Sequence, residues 1–172
     1  MAALIGLQIG LGLAGADLPL GMSKLATLAR HKSLGLTILA LALIRLAWRA
    51  LNPTPALPGA LKAFERRLAL ATHAALYALL IALPVTGWIM SSARGFPVSW
   101  FNLVQLPNLV APSPALYHAM VLTHIALASA LGLILILHIA AAIRHHFVLH
   151  DEVLRRMLPA PRIHPGVMDD RH

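Results

Sequence analysis

Five of the chain's ten histidines, His31, His73, His124, His138 and His145, lie inside or at the ends of long apolar stretches. An imidazole in hydrocarbon is costly unless a partner holds it, so each is a functional-site candidate by default. Several imidazoles at matching depths on different helices suit one chemistry above others, the ligation of haem iron from both faces. The plain alternative for any single one is a hydrogen bond to a backbone carbonyl or a Ser or Thr hydroxyl on a neighbouring helix. A zinc site is a weaker rival. It needs three or four ligands converging at one depth, and these are spread over two.

His124 and His138 are 14 residues apart in one apolar run. On a helix that spacing is about 21 Å of rise, and fourteen steps of about 100° end roughly 40° short of four turns. Both rings therefore project from nearly one face, one near each leaflet of a hydrocarbon core about 30 Å thick. His31 lies early in a second run, at the depth of His124, and His73 lies early in a third, near the depth of His138. His118, His150, His164 and His172 lie near water.

Composition demands a membrane. Of the 172 residues, 59% are hydrophobic and 12% charged, with a mean hydropathy of +0.76, whereas a soluble domain carries about 25% charged residues. Cysteine is absent, which removes disulfides, thiolate metal sites, iron–sulfur clusters and haem attachment through C-x-x-C-H. The net charge of +8 could mark a nucleic-acid binder, but the basic residues cluster at the ends of the apolar runs. Membrane orientation is the simpler account, and nucleic acid is rejected.

Four spans are predicted, making an all-α membrane protein with a four-transmembrane-helix bundle whose first helix is short. The first runs from Met1 to Ala16. The second starts at Ser23, whose hydroxyl can cap it, and ends at Asn52-Pro53. The third runs from about Glu65 to Ser91 and the fourth from about Ala115 to Ile143. Residues 1–159 form the membrane domain, and the Pro- and charge-rich tail 160–172 is expected to be disordered. Arg45, Arg49, Lys62, Arg66 and Arg67 surround the second connection, and Arg144, Arg155, Arg156, Arg162 and Arg171 follow the fourth span. By the positive-inside rule that connection and the C-terminus are cytoplasmic. Lys24, Arg30 and Lys32 dissent mildly. A signal-peptide reading of the first run fails for want of a positively charged start.

Several runs carry a family likeness. They are Arg30-His31-Lys32-Ser33-Leu34-Gly35, Arg45-Leu46-Ala47-Trp48-Arg49 with Asn52-Pro53, and His73 followed by Ala82-Leu83-Pro84 and Gly87-Trp88. Further on come Gly95-Phe96-Pro97-Val98, His138 to His145-His146-Phe147, and Val153-Leu154-Arg155-Arg156-Met157-Leu158-Pro159. In this order, from about Leu4 to Pro159, the chain resembles the bacterial cytochrome b561 family. The resemblance implies a multi-pass protein of the bacterial inner membrane holding two b-type haems, each with two histidine ligands. It is similar to superoxide oxidases, which pass electrons from periplasmic superoxide to ubiquinone.

Carried over residue by residue, His31 and His124 match the ligands of the periplasmic haem, and His138 matches one ligand of the cytoplasmic haem. The family's remaining ligand is a histidine at the start of the first span, and it is absent here. With the short first span, this leads to the expectation that the beginning of the chain is missing. The alternatives are a one-haem variant or one in which His73 replaces the lost ligand. Anionic haem propionates would find Arg30 and Lys32 beside His31, and Arg66, Arg67 and Arg144 at the opposite end.

The reading is a one-electron relay with ubiquinone as acceptor. His145, beside Arg144, serves as proton donor to the quinone. Lys24, Arg30 and Lys32 form a cationic funnel for superoxide. The rival is a cytochrome b subunit serving a partner dehydrogenase or hydrogenase. A haem-free scaffold is the third possibility.

Overall fold

A computed structural model describes residues 1–52 and 63–147, apart from the side chains of His145 and His146. The tail 160–172, Lys62 and the basic residues beyond Arg144 lie outside the described residues. In chain order come helices α1 (Ala2–Asp17), α2 (Met22–Leu51) and α3 (Ala63–Ala93), strands β1 (Val98–Trp100) and β2 (Val104–Leu106), and helix α4 (Pro114–Phe147).

The four predicted helices are present, and α2, α3 and α4 are each long and apolar enough to cross a membrane. Leucine and alanine dominate these runs and are strong helix formers. With 16 residues, α1 rises only about 24 Å, less than the thickness of the hydrocarbon core. Large side chains such as Leu43, Ile44, Leu122 and Ile125 stay exposed, as lipid-facing residues should.

Helix α2 is the centre of the packing. Its buried residues Ser33, Leu34, Gly35, Ile38 and Ala42 make a stripe, with α1 and α3 both packed on this helix. At Gly15 of α1 a Cβ would stand 2.7 Å from Leu28 Cδ2, so the missing side chain permits the close approach. The expected Ser23 cap is not made. Helix α2 begins one residue earlier, after Gly21, with no capping side chain, which puts Ser23 inside the first turn. Instead Lys24 donates to the carbonyls of Ala16 at 3.2 Å and Leu18 at 2.8 Å. A cation thus meets the oxygens that the end of α1 leaves open.

The connection from α3 to α4, which carries Pro107, Pro112 and Pro114, contains an antiparallel hairpin pairing Val98 with Leu106 and Trp100 with Val104. Helix α3 closes in a Schellman turn. Gly95, at φ +79°, donates to Ser92 O and Phe96 to Ser91 O, which satisfies the last carbonyls. Three buried serines then hold the connection. Ser33 Oγ lies 3.1 Å from Ser99 O and accepts from Phe101 N. Ser91 Oγ donates to Phe96 O, and Ser92 Oγ accepts from Leu109 N. Trp100 Nε1 adds a bond to Thr37 Oγ1 at 3.0 Å.

The chain divides into two compact units, Met1–Ile134 and Leu135–His172. The first holds α1 to α3, the hairpin and the start of α4. The described part of the second is the end of α4.

Candidate functional site

His31 is the tenth residue of α2 and His124 the eleventh of α4. Both helices start from the same side of the bundle, so near-equal counts bring the two side chains to one level. Their ring centroids are 6.3 Å apart, with the planes inclined at 75°. Each ring is half-buried. Both lie within Met1–Ile134, and all four helices contribute to their surroundings.

On one side stands α1. His31 Nδ1 lies 3.1 Å from the backbone oxygen of Gln8. A carbonyl can only accept, so Nδ1 carries a proton, and in the neutral ring Nε2 then presents its lone pair. The Gln8 carboxamide nitrogen lies 3.3 Å from that Nε2, and its partner atom Oε1 is buried with no hydrogen bond among the described residues. Gly35 makes room for this amide, since a Cβ there would sit 3.1 Å from it. One turn beyond Gln8, a Cβ on Gly12 would come within 3.0 Å of His31 Cε1.

On the other side stands α3. Thr86 Oγ1 donates to Leu83 O at 2.9 Å and lies 3.0 Å from His124 Nδ1. The hydroxyl's single proton is used on the carbonyl, so the hydrogen-bond pattern assigns the Nδ1 proton to His124. Its Nε2 lone pair is then available as well. Gly87 flanks the ring, and a Cβ there would meet His124 Cε1 at 3.4 Å.

Both imidazoles are thus oriented through Nδ1, and in their neutral form each offers Nε2 as a ligand. This is the arrangement that outer-shell partners impose on metal-binding histidines. Two metal–imidazole bonds of about 2 Å, plus roughly 1 Å from each nitrogen to its ring centre, put an axial pair about 6 Å apart. The observed 6.3 Å between ring centres matches that separation. Among the described residues no three His, Cys, Asp or Glu side chains converge, and an axial pair needs only two.

The second level expected from the sequence draws on other histidines. His73, half-buried on α3, and His138, half-buried on the end of α4, each have interaction partners of their own. His145 lies on α4 with its side chain outside the described residues. Of the basic residues near His31, Lys24 is engaged at the end of α1. Lys32 donates to Ser91 Oγ at 2.8 Å, and Arg30 is exposed.

Sequence reading missed Gln8, Gly12 and Thr86, and it met Gly87 only as part of a family motif. A signal existed for Gln8, the one hydrogen-bonding side chain between Met1 and Ala16.

Residues 1–160 match the family model described as prokaryotic cytochrome b561. Cytochrome b561 homolog 2 of Escherichia coli is 34% identical over 128 residues, covering 74% of this chain and 68% of that protein. A probable superoxide oxidase, CybB of Yersinia pestis, is 33% identical over 132 residues, covering 77% of this chain and 74% of its own length.

Proposed function

This chain belongs to the prokaryotic cytochrome b561 family, and from that premise we propose that it passes electrons across the bacterial inner membrane to the quinone pool, oxidising superoxide at the periplasmic face. The family is one of membrane electron-transfer proteins and implies a b-type haem. When bound, haem supplies reversible one-electron chemistry at its iron.

The chain's residues have separate tasks. His31 and His124 hold one haem, while Gln8 O and Thr86 Oγ1 keep their Nδ1 atoms protonated. His138 would ligate a second haem, as the family resemblance implies. Lys24, Arg30 and Lys32 gather near the first pair and raise the local concentration of a small anion. His145 delivers a proton to the quinone at the boundary with the cytoplasm, where the C-terminus lies.

The facing pair at 6.3 Å carries this reading. The test is a visible spectrum of the purified, dithionite-reduced protein, followed by stopped-flow addition of superoxide with quinone present. Sharp reduced haem b bands, and quinone reduction without a second protein, are the expected result. A colourless preparation rejects the haem assignment. A pigmented protein that reduces quinone only when a dehydrogenase or hydrogenase is added rejects superoxide as donor.

A further inference from the structure

The basic end of α2 holds a cluster that the haem chemistry does not use. Arg45 Nε donates to Tyr77 OH at 2.9 Å, and the Arg49 guanidinium, one turn further on, lies near enough to act on the same phenol electrostatically. Two guanidinium groups from α2 therefore converge on one neutral oxygen from α3. Both arginines are exposed and Tyr77 is half-buried.

Such a pair repels itself unless an anion joins it, and the chain has few to offer. It holds 14 Lys and Arg against six Asp and Glu, and between Leu18 and His150 the one carboxylate is Glu65 against ten cations. An anion from outside the protein can take that place. Arg45 is six residues from Leu51, which places it about 9 Å from the end of the helix. That is within reach of the headgroup layer for a side chain able to snorkel. Planar guanidiniums match phosphate oxygens two at a time, and the phenol can donate its own proton to a third.

We propose that Arg45, Arg49 and Tyr77 form a binding site for the phosphodiester of an acidic glycerophospholipid in the leaflet at the basic end of α2. The lipid phosphate neutralises the paired guanidiniums and ties α2 to α3 at that end. This inference does not depend on the haem assignment.

The test is native mass spectrometry of the full chain in detergent micelles, with phosphatidylglycerol and phosphatidylcholine of identical acyl chains added in turn. One phosphatidylglycerol is expected to stay bound per chain, with phosphatidylcholine lost. The double variant Arg45→Gln with Arg49→Gln should lose at least about tenfold in retention, the worth of one charge-assisted hydrogen bond. Arg94→Gln, in the turn that closes the other end of α3, should leave it unchanged. Should the first pair fail to fold, Arg45→Lys with Tyr77→Phe keeps both charges and removes the fork and the phenol. It should still weaken retention severalfold. Equal loss in the Arg45/Arg49 double variant and in Arg94→Gln, or equal retention of both lipids, overturns the site. Millimolar inorganic phosphate displacing the lipid completely would overturn the lipid as the source of the phosphate.

Discussion

Gln8 engages both nitrogens of His31, its carbonyl accepting from Nδ1 at 3.1 Å while its carboxamide nitrogen stands 3.3 Å from Nε2. The carbonyl prepares the ring for a metal, and the carboxamide reaches the same lone pair that a metal would use. The two halves of one residue therefore act in opposite directions. Gln8→Leu keeps the first and removes the second. Haemin titration of the variant is expected to show tighter binding at this site by roughly threefold to tenfold, the worth of one neutral hydrogen bond. Weaker binding would mean that the amide supports the ligand instead of competing with it.

Thr86 supplies the equivalent orientation for His124, with no competing group beside it. Thr86→Val removes the acceptor for Nδ1–H while keeping the shape. Losing an outer-shell partner of this kind costs about tenfold to a hundredfold in metal affinity, and the midpoint potential of one haem should move with it. Thr86→Ser should restore both. Identical potentials in the Val and Ser variants would remove Thr86 from the account.

The glycines beside the two rings differ in how much room they leave. At Gly12 a Cβ would lie 3.0 Å from His31, and at Gly87 a Cβ would lie 3.4 Å from His124. Gly12→Val should displace the His31 ring and remove one haem per chain, read from the pyridine haemochrome assay. Gly87→Ala should keep full haem content. The reverse ranking would show that these contacts do not govern the site.

Steering by cations must respond to salt. The screening length falls from about 30 Å at 0.01 M to about 10 Å at 0.1 M. Superoxide-driven haem reduction is expected to slow severalfold across that range. Arg30→Glu should reproduce much of the slowing, because Arg30 is exposed and its loss disturbs no packed element. Lys24 and Lys32 are poorer probes, since each also bonds a neighbouring element. A rate indifferent to both salt and Arg30→Glu would dismiss the funnel.

His31 and His124 were legible in the sequence because depth in a membrane helix is counted in residues, and the two counts nearly agree. The long helices were legible because hydropathy alone decides them. Gln8 and Thr86 were not. A lone amide or hydroxyl in an apolar run acquires its meaning from the helix placed against it, and helix pairing is a tertiary fact. The hairpin was hidden for a related reason. Strands as short as Val98–Trp100 and Val104–Leu106 carry little periodicity, and they are held by Ser33 and Thr37 from a distant helix.

The stitched connection after α3 has one further consequence. Arg94, exposed in the turn that closes the helix, donates its N–H to Ser91 O and lays its guanidinium 4.7 Å from the centre of the Tyr117 ring. A trypsin-like protease working from that face needs an extended strand to thread through its cleft, and here it meets a closed turn. The bond that follows Arg94 is thereby held in a shape such a protease does not accept.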